Sequence, residues 1–76
     1  MSKIKGDIAI GQRAYEEVVR LFDVPSTAKQ RIGITRNVLY GWRDGVVPGS
    51  LWLAKLHYAG ADVLYILTGR KTMEVN

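Results

Sequence analysis

Residues 28–42 read AKQRIGITRNVLYGW, and this stretch decides the fold. Thr35 belongs to the residue types that cap helix N-termini, so a helix is predicted from Arg36 to Arg43. The preceding helix is predicted to end at Gly33, because glycine takes the left-handed conformation that closes a helix without steric cost. The stretch therefore predicts two short helices joined by a tight turn.

The apolar residues of this stretch are spaced so that they share one side of the helix pair. Two short helices joined by a tight turn must cross steeply to share one core. We expect that core to consist of Ala28, Ile32, Ile34, Leu39 and Trp42, with Val38 beside them. The outer face of the second helix is then left to polar and cationic side chains.

These outward side chains suit the edges and the backbone of DNA. An α-helix fits the major groove, where arginine can form two hydrogen bonds to guanine and asparagine two to adenine. Base contacts, made mostly from the start of the helix, are predicted for Thr35, Arg36, Asn37 and Tyr40. Contacts to phosphates are predicted for Ser26, Lys29, Gln30, Arg31 and Arg43.

Several of these assignments have a simpler alternative. Arg36 could bind only a phosphate, since over half of protein–DNA hydrogen bonds go to the backbone. The Tyr40 ring could instead pack on the next helix. Lys29, Arg31 and Arg43 could form a basic face that is merely solvated.

Charge is distributed unevenly along the chain. The 76 residues carry a formal net charge of +4, which favours an anionic partner. From Val24 to Arg43 there are cationic residues and no acidic one, whereas the two signs balance elsewhere. The excess of positive charge therefore coincides with the predicted DNA-binding helices.

A first helix is predicted between Ile10 and Phe22, before the pair. Its apolar residues fall on one helical face: Ala14, Val18, Leu21 and Phe22. On the opposite face Glu16 lies four residues before Arg20, which predicts an ion pair. We interpret residues 1–6 as a basic arm that precedes this helix.

The second helix is predicted to have Pro25 in its first turn and to end near Ile32. Proline is tolerated there because the first N–H groups of a helix have no partner within it. Asp23 or Ser26 is expected to cap this N-terminus.

Two more helices complete the prediction. A fourth is expected over residues 50–59, and a fifth over residues 63–67 with Asp62 as its cap. No segment shows the sustained alternation of apolar and polar residues that indicates strands. The chain is therefore predicted to be a single all-α domain of five short helices, with residues 71–76 as a tail.

The stretch from Ser26 to Gly69 resembles the helix-turn-helix DNA-binding domain of the bacteriophage CI/Cro repressor family. Three segments carry the resemblance: KQRIGIT at 29–35, VLYGW at 38–42, and GADVLYILTG at 60–69 after Pro48 and LAKL at 53–56. The resemblance implies a lambda-repressor-like fold and a phage or prophage repressor that binds a palindromic operator in double-stranded DNA as a homodimer. Because the sequence ends soon after Gly69, we expect a Cro-like or small regulator.

One residue departs from the family pattern. The alanine that the family has four residues before the turn glycine is Lys29 here. Either the long Lys29 side chain extends outward to solvent, or Ala28 takes its place with a shifted register.

Composition excludes several classes of function. There is no cysteine, so disulfides, thiolate metal sites and cysteine nucleophiles are excluded. With His57 as the one histidine, a zinc site would need mostly carboxylates, and we expect no metal, cofactor or small-molecule ligand. No glycine-rich phosphate loop and no Ser, His and Asp set is recognisable, so no enzyme is expected. No membrane segment is expected either, and the predicted location is cytoplasmic, with the nucleoid of a bacterial host cell.

An alternative function is a protein-interaction module on the same fold, such as an antitoxin or anti-repressor. The C-terminal part has more aromatic residues than so small a core needs, and aromatic residues are enriched at interfaces. We place the dimer interface around Trp52, Tyr58 and Tyr65, with burial in the core as the alternative.

Overall fold

The computed structural model describes residues 5–71, which form five helices and, within that range, no strand. The helices are α1 (Lys5–Phe22), α2 (Pro25–Ile32), α3 (Arg36–Arg43), α4 (Ser50–Tyr58) and α5 (Val63–Thr68). The predicted all-α class is confirmed for this part of the chain. None of these helices combines the length and the apolarity that crossing a membrane requires.

Helix α1 is longer than predicted. It has 18 residues, and Lys5 and Gly6 are part of it, so the basic arm predicted over residues 1–6 is wrong for these two positions. Once a helix has formed, each added residue gains a backbone hydrogen bond at low cost, which favours such extension. The rest of that arm, and the predicted tail beyond Lys71, lie outside the described residues.

The core forms where α1 packs mainly on α3 and α5. Its buried apolar residues come from all five helices and two connections: Ala14, Val18, Ala28, Ile34, Leu39, Trp42, Leu56, Ala61 and Ile66. Most of the core predicted for the α2–α3 pair is buried, while Ile32 and Val38 are half-buried at its margin. Burying one large apolar side chain stabilises a fold by about 1.5–3 kcal/mol.

The question of Lys29 is decided by burial. Ala28 is fully buried and Lys29 is exposed. A small residue therefore occupies the close approach inside the core, one position earlier than in the family pattern.

The cap predicted for α2 is wrong. Val24 is the N-cap residue and provides no side-chain cap, while Ser26 lies within the helix. Asp23 has a φ of 70° and donates its backbone N–H to the Val19 carbonyl, so it ends α1. Aspartate tolerates the left-handed conformation better than most residues, and the proline at the start of α2 leaves one orphan N–H fewer to cap.

The caps predicted for α3 and α5 are confirmed. Thr35 Oγ1 accepts the Val38 N–H at 3.3 Å, and Asp62 Oδ1 accepts the Tyr65 N–H at 3.0 Å. Gly33 closes α2 in the predicted left-handed conformation, with a φ of 76°. The start of α3 is thus fixed by its own cap and by the turn before it.

Candidate nucleic-acid interface

The start of α3 presents polar side chains to solvent. Thr35, Arg36 and Asn37 are all exposed. Within the described part of the chain, the Arg36 and Asn37 side chains form no hydrogen bond or ion pair. Their donors and acceptors are therefore available to a partner molecule.

The opposite face of α3 is held tightly. Leu39 and Trp42 are buried, and the Trp42 ring packs edge-to-face on Trp52 of α4, with centroids 5.8 Å apart and an interplanar angle of 79°. Edge-to-face aromatic pairs contribute about 0.5–1.5 kcal/mol beyond the area they bury. The exposed start of α3 therefore belongs to a helix that the core fixes in place.

Gly11 of α1 also positions α3, and the sequence reasoning missed it. A Cβ atom at Gly11 would meet the Val46 carbonyl oxygen and would lie 2.8 Å from that of Trp42. The backbone of α1 thus touches the backbone at the end of α3. A glycine inside an otherwise helical pattern is the signal that indicates such a close approach.

Tyr40 is held between two neighbours. Its half-buried ring lies 6.3 Å from the Tyr15 ring of α1, and the Arg43 guanidinium lies 4.3 Å from its centroid. Arg43 also forms an exposed ion pair with Asp44, with Nε 3.5 Å from Oδ1. Tyr40 thus packs on α1, not on the next helix, and Arg43 is oriented along the α3 surface by its own neighbours.

The residues of α2 that were predicted to bind phosphates are exposed but do not form one surface. Ser26, Lys29, Gln30 and Arg31 are all open to solvent. Residues two apart on a helix are separated by about 200° around its axis, so Lys29 and Arg31 point in nearly opposite directions. Arg31 lines a groove with residues of α1 and α4 and none of α3. The structure therefore groups Lys29 with Ser26 and separates both from Arg31.

A second set of charged residues joins α1 to α5, and we call it the α1–α5 polar cluster: Arg13, Glu16, Glu17, Arg20, Asp62 and Tyr65. Buried Glu17 accepts two hydrogen bonds of 2.8 Å from Arg20 and one of 2.7 Å from the Asp62 backbone N–H. The Arg20 hydrogen bonds, aided by that of the Asp62 N–H, hold the pKa of the Glu17 carboxyl below its usual value, although burial acts to raise it.

The ion pair predicted between Glu16 and Arg20 is wrong, because Arg20 pairs with Glu17. Glu17 faces the connection before α5, where the Asp62 N–H offers it a second donor. Glu16 instead accepts the Tyr65 hydroxyl proton at 2.6 Å, which raises the pKa of that phenol. The sequence reasoning missed Glu17 because a local charge pattern does not show contacts across the fold.

The cluster also closes the C-terminal end of α5. Arg13 Nε donates to the carbonyl oxygens of Tyr65 and Ile66, at 2.9 and 3.0 Å. A groove of about 730 Å³ lies beside the cluster, lined by Glu17, His57 and Asp62 among others. Since Glu17 and Arg20 are already hydrogen-bonded to each other, the cluster fastens helices together. Within residues 5–71 no group of three or more His, Cys, Asp or Glu side chains could hold a metal ion.

The three aromatic residues predicted at a dimer interface differ in exposure. Trp52 is half-buried on Trp42, and Tyr65 is half-buried with its hydroxyl bonded to Glu16. Tyr58 is 87% exposed. On α5, Leu64 and Leu67 are also exposed, at 51% and 44%, and the sequence reasoning had not singled them out.

Comparison of the chain with protein-family models, with curated proteins and with solved structures gives no match.

Proposed function

We propose that this chain is a sequence-specific, double-stranded DNA-binding transcriptional regulator, with α2 and α3 as the helix-turn-helix of a lambda-repressor-like domain. The observation that carries the proposal is the start of α3. Arg36 and Asn37 are exposed there and unpaired among the described residues, on a helix whose other face is fixed by Leu39 and Trp42. A rigid helix that presents such donors is suited to the major groove.

Arg36 and Asn37 are the proposed base-reading residues, and two neighbours have supporting roles. Thr35 Oγ1 already accepts a backbone N–H, so its hydroxyl proton is what it can offer to DNA. Tyr40 can offer its hydroxyl, because its ring is packed between Tyr15 and Arg43.

Ser26, Lys29, Gln30 and Arg43 are the proposed phosphate contacts. Lys29 and Ser26 lie on the same side of α2, about 60° apart around the helix. Arg43 lies at the end of α3, and its guanidinium is held over Tyr40. Arg31 points away from Lys29, so we assign it no DNA contact.

The protein is proposed to act as a homodimer. One recognition helix reads only a few base pairs, too few for useful selectivity in a genome. Two copies would place their α3 helices in successive major grooves, about 34 Å apart, on a palindromic site. Leu64 and Leu67 of α5 are the proposed interface, because they are exposed and apolar and α5 packs mainly on α1. This replaces the interface around Trp52 and Tyr65, whose side chains are occupied within the chain.

Selection of bound DNA from a pool of random duplexes tests this proposal. We expect enrichment of a palindromic consensus whose half-sites are about one helical turn apart. The matched control is the Arg36→Ala/Asn37→Ala double variant, which should enrich no consensus while retaining its thermal stability. Wild-type protein that enriches no consensus would contradict the proposal, and a consensus without a repeated half-site would contradict the dimer.

A further inference from the structure

Three helices end around a second groove, which lies apart from the exposed start of α3. Its volume is about 630 Å³, and its apolar lining includes Leu21 and Phe22 from the end of α1 and Ile32 from the end of α2. All three of these side chains are half-buried and pack against the core. The groove thus offers a shaped apolar surface that is connected to the interior of the protein.

Two cations flank this surface and no acidic side chain lines it. Arg31 comes from α2 and Lys55 from α4. Neither forms an ion pair with any residue in the described part of the chain, and the Lys55 ammonium lies 4.7 Å from the centroid of the Trp52 ring. A carboxylate placed in the groove would therefore meet two cations that have no competing anion.

Tyr58 completes the groove. It is a large aromatic residue with 87% of its surface exposed, directly beside the apolar lining. Tyrosine is enriched among the residues that contribute most to protein–protein binding, because it covers a large apolar area and still offers a hydroxyl group. An aromatic residue and a pair of cations at one apolar groove match an anionic ligand that also has apolar side chains.

We infer that this groove is a docking surface for an acidic amphipathic segment of a partner protein. The apolar side chains of that segment lie against Leu21, Phe22 and Ile32, and its carboxylates pair with Arg31 and Lys55. Duplex DNA fits less well, because its phosphate backbone has no apolar side chains to cover this lining. The inference does not depend on DNA binding, since no residue of α3 lines the groove.

A synthetic peptide of known composition tests the inference. The probe is a fluorescein-labelled amphipathic helix of about 14 residues, about 21 Å long, with leucines on one face and glutamates on the other. The control peptide has glutamine at every glutamate position. Fluorescence anisotropy measures the affinity of each peptide, and amide chemical-shift changes in the ¹⁵N-labelled full chain locate the binding site. We expect the glutamate peptide to bind and to shift the amides of Phe22, Ile32 and Tyr58.

Charge-reversal variants distinguish the groove from general attraction. Arg31→Glu/Lys55→Glu should weaken binding of the glutamate peptide about tenfold or more, and the matched variant Lys29→Glu, on the same helix but outside the groove, less than about twofold. Tyr58→Ala should also weaken it. All substituted side chains are exposed, and thermal melts check that each variant folds.

Several results would overturn the inference. Equal affinity for the glutamine peptide would show that the carboxylates are not recognised. An equal loss of affinity in Lys29→Glu, or chemical-shift changes confined to α3, would show a non-specific basic surface. If Arg31 and Lys55 only complement the ends of their helices, their replacement will lower the melting temperature and leave peptide binding unchanged. Displacement of the peptide by a random-sequence duplex would assign the groove to DNA.

Discussion

The start of α3 and the α1–α5 polar cluster are built from similar residue types but use them in opposite ways. In the cluster, Glu17 meets Arg20 and a backbone N–H, and Tyr65 donates to Glu16. At the start of α3, Arg36 and Asn37 meet no described side chain. Charge by itself therefore does not indicate a binding site, whereas exposed charge without an internal partner does.

The two regions also differ in how they are held. The cluster joins residues far apart in sequence, such as Glu17 and Asp62, with 45 positions between them. The start of α3 depends on adjacent residues, with Thr35 as its cap and Gly33 in the turn before it. The cluster supplies stability and the helix supplies a surface, so substitutions in the two regions should have separable effects.

The largest expected effect comes from Gly11, which holds α1 against the end of α3. Gly11→Ala should lower the free energy of unfolding by about 3 kcal/mol, the upper end for overpacking, because the new methyl group would meet backbone carbonyls that cannot move aside. Gly41→Ala is the matched control. Its Cβ would meet only the Val46 side chain at 3.7 Å, so the gain in helix propensity should stabilise the fold by up to about 1 kcal/mol. Urea denaturation measures both, and equal stability of the two variants would contradict this role for Gly11.

Glu17 is the next largest contributor. Glu17→Gln should lower the free energy of unfolding by about 1–3 kcal/mol, because it removes a charge-assisted pair from a buried position that also bonds the Asp62 N–H. The neighbouring Glu16→Gln, at an exposed position, should cost less than about 1 kcal/mol. Both variants should bind DNA as well as the wild type does under conditions in which they are folded. A binding defect in folded Glu17→Gln would break the separation of the two regions.

The same carboxyl makes stability depend on pH. Because hydrogen bonds hold the pKa of Glu17 in the folded state below its usual value of 4.5, its pairing stabilises the fold above that pH. This contribution is lost as the pH falls through the folded-state pKa. The difference in stability between wild type and Glu17→Gln should therefore narrow below pH 4.5 and stay constant between about pH 6 and 8. Denaturation curves at a series of pH values measure it, and a difference that widens in acid would contradict the assignment.

The smallest predicted effect concerns the cations of α2. Lys29→Ala should weaken binding to all duplexes alike and make the salt dependence shallower by about one unit, because one phosphate is no longer neutralised by the protein. Arg31→Ala should leave that slope nearly unchanged, because Arg31 points towards the second groove. Titrations at several salt concentrations compare the two variants. Equal changes in slope would place both residues on the DNA.

Local signals predicted most of the α2–α3 region. The Thr35 cap, the left-handed Gly33 and the buried Leu39 and Trp42 follow from spacing and from the conformational preferences of single residues. The same reasoning failed at Asp23, whose carboxylate suits a cap but whose backbone ends α1 instead. Each residue has several local options there, and only the chain path selects one.

Long-range contacts could not be predicted in this way. Glu17 was assigned to the solvent face because the helical pattern of α1 makes no reference to the connection before α5. The direction of Arg31 was missed for a similar reason, since its groove is formed by the ends of three helices. Such sites depend on the arrangement of helices, which their separate sequences do not contain.

Titration of Arg36→Ala and Asn37→Ala against the selected operator and a scrambled duplex tests the central claim most directly. Each variant should lose about 1–3 kcal/mol of operator binding per half-site and relax the preference at one base pair, because each removes a side chain that reads a base. Binding of Asn37→Ala to the scrambled duplex should hardly change, since asparagine carries no charge to release counterions. Full operator preference in both variants, together with its loss in Lys29→Ala, would show that α3 is not the recognition helix.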